Sequence, residues 1–341
     1  MQVIIGIDPH KSSHTAVALD NHETELASLQ VRANASQTRR LLDWAAGFDE
    51  RTWAIEGAAG LGYLLGQQLL AAGETVLDVP ATLASRVRVL GTGKSNKNDP
   101  NDARSIAIAA LRSTSLTAVR PADHATVLKM LARRNKQLAA SRTRTVCRLH
   151  AVIRELVEGG TGLKLKAGKA KLLLEQFEPA SPVQVVRHQI ALEHLDDLAH
   201  VDAQIAELHA RIRDAVAAAN TSVTEIHGVG AIVAAMVIGY SGDITRFRDR
   251  NHYAAYTGTA PIELSSGDRV IHRLSRRGNR QLNHAMHLAA LSQIRFPDTA
   301  GRVFYDRKIA EGRTGKDAYR ALKRRISDAV YRQLQVDAGL R

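Results

Sequence analysis

The run Val3-Ile4-Ile5-Gly6-Ile7, closed by the carboxylate of Asp8, constrains this chain more than any other segment. An unbroken apolar run of that length reads as a strand buried on both faces, which needs packing partners above and below its sheet. Residues 15–19 and 24–31 read as two further strands, joined by the Asp20-Asn21-His22 turn. Ser36 then N-caps a helix to about Ala46. Thr52 to Ile55 is a strand ending at Glu56, and a loop from Gly57 to Gly62 opens a helix to about Ala72. Thr75 to Val79 is another strand, closed by Pro80. A short helix, a Gly/Lys/Asn loop at 91–98 and a helix from Pro100 to about Leu111 complete the segment.

Three strands, helix, strand, helix, strand, helix predicts a mixed α/β domain over residues 1–120, in an order shared by RNase H-like domains and by the sugar-kinase and actin-like fold. Beyond it the pattern becomes helical. Residues 121–219 read as a helical coiled-coil arm that links and dimerises, and residues 220–341 as a mostly helical domain ending in a basic helix at 315–335. In the arm, Leu131, Leu138, Leu149, Val152 and Leu156 keep one face while Arg142, Arg148 and their basic neighbours load the rest. Leu198, Val201, Ile205, Leu208, Ile212, Ala215 and Ala219 form a heptad seam that fits either the 122–158 helix or a second subunit. Residues 159–171 read as a Gly/Lys loop, and the single cysteine, Cys147, as a small buried or half-buried residue.

The formal net charge is +13. Such a surplus attracts polyanions. A bilayer is the weaker candidate, because no apolar run approaches the roughly 18 residues needed to span one. One cysteine allows neither an internal disulfide nor a cysteine-based zinc site, which fits a reducing cytoplasm. The expected partner is nucleic acid, in a cytoplasmic, nucleoid-associated setting.

Asp8 and Glu56 sit where apolar strands run out, so they can converge at one sheet edge; Asp99 and Asp102 share a face at a helix start. Carboxylates gathered in that way suit Mg²⁺ or Mn²⁺ and leave positions open for phosphate oxygens. Asp99-Pro100 also reads as an N-cap followed by proline, with Asp102 favoured by the helix dipole. Lys11, Lys94 and Lys97 flank these acids and suit a phosphate backbone, while His10 and His14 read as parts of a solvated loop. In the last domain, Ile226-His227-Gly228-Val229-Gly230 resembles a helix–hairpin–helix turn, whose Gly228 and Gly230 let backbone N–H groups approach a phosphate, or else a tight turn between packed helices. Ser265-Ser266-Gly267 forms a polar turn followed by Arg269, Arg273, Arg276, Arg277 and Arg280, read either as an activated serine or as a turn beside a basic patch.

Several ordered matches then resemble one family. Gly6-Ile7-Asp8, Ile55-Glu56 and Asp99-Pro100-Asn101-Asp102-Ala103 in the first part, with His227-Gly228-Val229-Gly230, Ala260-Pro261, Ser265-Ser266-Gly267 and Leu274-Ser275-Arg276-Arg277-Gly278-Asn279 in the second, resemble the DEDD insertion-sequence transposases, which include Piv-like invertases and bridge-RNA-guided serine recombinases. The resemblance implies a RuvC-like domain whose Asp8, Glu56, Asp99 and Asp102 bind Mg²⁺, and a serine, Ser266 or alternatively Ser265, that attacks the scissile phosphate and forms a phosphoserine link. It further implies double-stranded donor and target DNA, a structured guide (bridge) RNA, and homodimers pairing into tetramers. The readings set against it are a RuvC-like nuclease or junction resolvase using water, a sugar- or acetate-type kinase, and a DNA-binding protein without catalysis.

Overall fold

The computed structural model describes residues 2–90, 98–160, 167–266, 269–274 and 278–340. The chain divides into two compact units, Met1–Ala122 and Asp123–Arg341.

In the first unit, β1 (Gln2–Pro9), β2 (Ser13–Leu19) and β3 (Glu25–Arg32) form an antiparallel meander. β4 (Glu50–Glu56) lies parallel beside β1, β5 (Val76–Val79) parallel beside β4, and the two-residue β6 (Thr117–Ala118) closes the edge antiparallel. The sheet order is therefore β3-β2-β1-β4-β5-β6. With helices α1 (Gln37–Ala45), α2 (Tyr63–Ala71), α3 (Ala81–Leu90) and α4 (Asp99–Arg112), this is the RNase H-like arrangement expected from the order of elements.

Strand periodicity explains the two layers. Val3, Ile5 and Ile7 pack with Ala16, Ala18, Trp53 and Ile55 against Leu41 of α1 and Leu65 and Leu69 of α2. Ile4, Val17, Leu19 and Ala54 pack on the other face against Ala103, Ile106, Ala107 and Ala110 of α4. Gly6 sets the closeness of the second layer. A Cβ there would stand 2.1 Å from the Ala103 carbonyl oxygen and 2.6 Å from the Ala107 nitrogen, so only glycine lets α4 lie on β1. The β2–β3 turn forms where the sequence places it: Asp20 accepts the N–H groups of His22 and Thr24 at 2.8 Å each. Arg112 at the end of α4 reaches back to Glu23 in that turn at 2.6 Å.

The second unit is helical apart from one hairpin. The long helices α5 (His124–Leu156) and α7 (Pro182–Ala218) start at good caps: Asp123 and Thr126 form a capping box, and Ser181 precedes Pro182. The heptad seam packs inside the chain. Leu208 and Ile212 share a core with Leu128, Ala132 and Leu138 of α5, and Leu198 joins Leu149 and Ile153. The Gly/Lys segment is a loop only in part, because α6 (Ala167–Glu175) buries Ala170 and Leu174 against Leu149, Ile153 and Ala191. Cys147 is exposed, contrary to the expectation of a buried small residue, since it lies off the stripe carrying Leu149 and Ile153.

Helices α8 (Ala231–Ser241), α9 (Arg250–Tyr256), α10 (Arg280–Arg295), α11 (Ala300–Ala310) and α12 (Gly315–Asp337) continue the unit. Tyr253, Met286, Ala289, Leu322, Ile326 and Val330 join Leu208 and Ile212 in one core, so the arm and the C-terminal helices are a single body. No helix among the described residues is long and apolar enough to cross a membrane.

Candidate metal centre

The place where β1, β4 and α4 run out together follows from the packing just described. In the parallel register Gly6 stands beside Ala54 and Ile7 beside Ile55, so Asp8 and Glu56 come next on the same face, the one covered by α4. Asp8 lies about 6.6 Å beyond Gly6 along the strand, at roughly 3.3 Å per residue. Asp99 lies four residues before Ala103, about 6 Å along the helix at 1.5 Å per residue. Gly6 and Ala103 being in contact, the two carboxylates arrive at the same level.

The observed cluster is Asp8, His10 and Asp99, with one candidate donor atom from each lying within 4.8 Å of the others. His10 Nδ1 is 3.7 Å from Asp8 Oδ2, and its Nε2 is 4.0 Å from Asp99 Oδ1. Burial pushes the Asp8 carboxyl up from 3.8 to about 6; His10 opposes the shift, and the charges of Asp102, Glu56 and Asp99 add to it. Asp8 therefore feels all three of the other expected acids. Its side chain is only 14% exposed, and that of Asp99 is 44% exposed. A carboxyl held out of water among like charges, at an open edge, is an anionic pocket that fits a hard divalent cation by its donor chemistry.

Two expectations change here. The N-cap of α4 is Asn98, whose side chain accepts the Asn101 N–H, with Pro100 in the first turn. Asp99 is thereby released from the capping role that its place before proline suggested. The four acids are also not equivalent, because Arg88 of α3 is ion-paired to Asp102. Of the two histidines expected in a solvated loop, His10 does lie exposed in the turn after β1 and His14 does not. His10 stands between two carboxylates, and His14 is buried in β2, its Nε2 3.1 Å from Gln37 Oε1. Asp78, another acid on a strand of this sheet, does not join the centre; it accepts the Ala58 N–H at 2.9 Å.

The remaining expected residues scatter. Lys11 is exposed in the β1–β2 turn, while Lys94 and Lys97 lie outside the described residues. Arg142 is held by Asp202 at 2.5 Å, which ties its guanidinium to α7, whereas Arg148 is exposed. Gly228, at φ +83°, packs against α10: a Cβ there would meet the Ala289 carbonyl oxygen at 2.7 Å. That contact matches the tight turn between packed helices, while Gly230 is exposed at the start of α8.

The hairpin of β7 (Pro261–Ser266) and β8 (Arg269–Leu274) places the Ser266 backbone opposite Arg269, and Ser265 opposite Val270, at its turn end. Arg273 pairs with Ile262 nearer the base. The side chains of these residues, and all of Arg276 and Arg277, lie outside the described residues. Both ends of the hairpin are anchored: the Asn279 N–H donates to the Tyr256 carbonyl at 2.6 Å, and Asn283 Nδ2 donates to the Thr257 and Gly258 carbonyls at 3.1 and 3.0 Å. Lys323 of α12 donates to Asn283 Oδ1 at 2.7 Å, and Arg280 is exposed at the head of α10.

Comparison with known proteins gives one consistent direction. Residues 5–158 match the family model DEDD_Tnp_IS110, described as a transposase, and residues 220–306 match the model described as transposase IS116/IS110/IS902 family. The chain is 26% identical to the insertion element IS116 uncharacterized 44.8 kDa protein of Streptomyces clavuligerus, over 98% of this chain and 95% of that one. It is 28% identical to the insertion element IS110 uncharacterized 43.6 kDa protein of Streptomyces coelicolor, over 98% and 94%. A transposase for insertion sequence element IS1111A of Coxiella burnetii is 29% identical over 64% of this chain and 61% of its own. Among solved structures, Thermus thermophilus RuvC in complex with a Holliday junction substrate aligns over 35% of this chain and all of its own, at 15% identity and a TM-score of 0.29.

Proposed function

We propose that this chain, which matches transposase family models over residues 5–158 and 220–306, is a transposase of the IS110/IS116 family whose acidic centre breaks DNA phosphodiesters with the help of divalent cations, Mg²⁺ or Mn²⁺. One observation carries the reading: Asp8 is raised to about 6 by burial and by the charges of Asp102, Glu56 and Asp99 at an open sheet edge. At the same edge Asp8, His10 and Asp99 each bring a donor atom within 4.8 Å of the others, the kind of convergence at which perturbed carboxyls mark functional sites.

Asp8 and Asp99 would hold the ion, with Glu56 near enough for its charge to reach Asp8. When bound, the ion supplies Lewis acidity to a phosphoryl oxygen and neutralises charge on the leaving oxygen. The residues would orient a water in line with the phosphorus; one P–O bond forms to its oxygen as the bond to the leaving deoxyribose oxygen breaks, the proton released by the water passes to solvent through the carboxylates, and the leaving oxygen takes a proton from solvent to become a hydroxyl. Arg88, beside Asp102, positions that carboxylate. The test is cleavage of DNA carrying the element's ends with and without Mg²⁺. Loss of all products in Asp8→Ala and Glu56→Ala supports the reading, and metal-independent cleavage refutes it.

A second reading makes the enzyme a site-specific recombinase in which Ser266 supplies the attacking oxygen. The observation favouring it is the place of Ser266 at the turn end of an anchored hairpin, opposite Arg269. In that case the serine oxygen bonds to phosphorus as its proton passes to solvent, the P–O bond to one deoxyribose oxygen breaks, that oxygen leaves as a hydroxyl after taking a proton from solvent, and a covalent protein–DNA adduct accumulates on nicked substrate. Absence of that adduct in wild type, or its survival in the Ser265→Ala/Ser266→Ala double variant, returns the assignment to water. A structured guide RNA and dimers pairing into tetramers belong to the same reading; dependence of recombination on RNA from the element's flank, and the mass of the DNA complex, test them.

A further inference from the structure

We infer that His10 is a nitrogen donor to the cation held by Asp8 and Asp99, which makes the centre a mixed nitrogen–oxygen site selective for Mn²⁺ over Mg²⁺; this rests on the metal-dependent reading above. The distances carry the assignment. At 3.7 Å from Asp8 Oδ2 and 4.0 Å from Asp99 Oδ1, the His10 ring nitrogens are beyond hydrogen-bond reach of either carboxylate. Two donors about 2.1 Å from one ion, however, stand roughly 3 to 4 Å apart. One nitrogen of the ring, one Asp8 oxygen and one Asp99 oxygen lie within 4.8 Å of one another, a separation that a common ion would draw together.

The ring is also placed by the fold. The His10 backbone N–H donates to the Ser13 carbonyl at 2.8 Å, fixing the turn that carries the imidazole from the end of β1 back over Asp8. The side chain is 46% exposed, open to an ion arriving from solvent. Asp102, which the pattern of acids offers as the third ligand, is engaged by Arg88 and only 12% exposed.

An imidazole nitrogen is a poor ligand for Mg²⁺, which prefers oxygen, and a better one for transition-metal ions. His10 therefore sets which ion the centre takes. The test uses the full chain. Calorimetric titration with Mn²⁺ and with Mg²⁺ is run on wild type, His10→Ala and Asp8→Asn, and electron spin-echo spectra of bound Mn²⁺ are taken with natural and ¹⁵N-labelled histidine.

His10→Ala is expected to weaken Mn²⁺ binding about tenfold or more and Mg²⁺ binding less than about threefold. Wild type is expected to show a nitrogen modulation that changes on ¹⁵N labelling. The labelled wild-type spectrum stands whether or not the variant folds. If Mn²⁺ binds in an Asp8-dependent manner with no nitrogen modulation, the histidine assignment is overturned and the metal centre stands. If wild type binds no Mn²⁺ at millimolar concentration, the metal-dependent reading falls as well.

Discussion

The two ends of the first unit's sheet each hold a carboxylate withdrawn from water, and they treat it in opposite ways. At the end where β4 begins, Glu74 is 11% exposed, paired with Arg51 at 2.5 Å and hydrogen-bonded by Trp53 Nε1 at 2.6 Å. Burial alone would push Glu74 up, but the Arg51 and Trp53 hydrogen bonds and the Arg51 charge hold it below its ordinary range. At the end where β1 and β4 finish, Asp8 is 14% exposed and is raised to about 6. Similar burial gives opposite shifts, so the partners decide. The Glu74 charge is neutralised by a cation of the chain itself; on the reading proposed above, the Asp8 charge is left for a cation from outside.

The comparison can be broken in a definite order of effect. The largest is on chemistry: Asp8→Ala is expected to lower DNA cleavage by at least about 10³-fold, the loss of several kcal/mol of metal-derived stabilisation, while circular dichroism stays unchanged. Next comes the neutralised end. Glu74→Ala leaves Arg51 unpaired in a largely buried place, and thermal unfolding should report a loss of about 3 kcal/mol.

Third is a gain. Asp8→Asn should stabilise the metal-free protein, because the buried charge is removed. The folded Asp8 pKa of about 6 lies above the ordinary 3.8, so its contribution to stability is intact below 3.8 and lost as pH rises through about 6. Melts in a chelator should thus show no difference between wild type and Asp8→Asn below pH 4, and an advantage for the variant of about 3 kcal/mol above pH 7. A variant advantage that shrinks as pH rises would reverse the sign and refute the comparison. Smallest is Arg88→Gln. Removing the cation paired to Asp102 at the open end should tighten Mn²⁺ binding a few-fold, about 0.5–1 kcal/mol, in a titration of the full chain.

Much of this unit can be read from residues alone because its strands alternate so cleanly. Odd positions of β1 face α1 and α2, even positions face α4, and Asp8 falls on the even face with Gly6. Asp8 and Glu56 are visible in sequence for that reason. The cap of α4 is not, since Asn98-Asp99-Pro100 offers two capping side chains and only the backbone geometry selects Asn98. His10 is hidden differently: its partner Asp99 is far along the chain, and only the contact of α4 with Gly6 brings the two together. Arg88 and the Arg51–Glu74 pair are long-range in the same sense. In the second unit the heptad seam was evident, while its partner became plain only when Leu208 and Ile212 packed on α5. A helix in the Gly/Lys segment depends on tertiary burial of Ala170 and Leu174, which local propensity does not encode.

Anomalous diffraction from a crystal of the full chain soaked in Mn²⁺ should show a peak at the end of β1, bonded to a carboxylate oxygen of Asp8 and to one of Asp99, at about 2.2 Å. No peak there at saturating Mn²⁺, or a peak only at sites away from Asp8, would contradict the proposed metal centre.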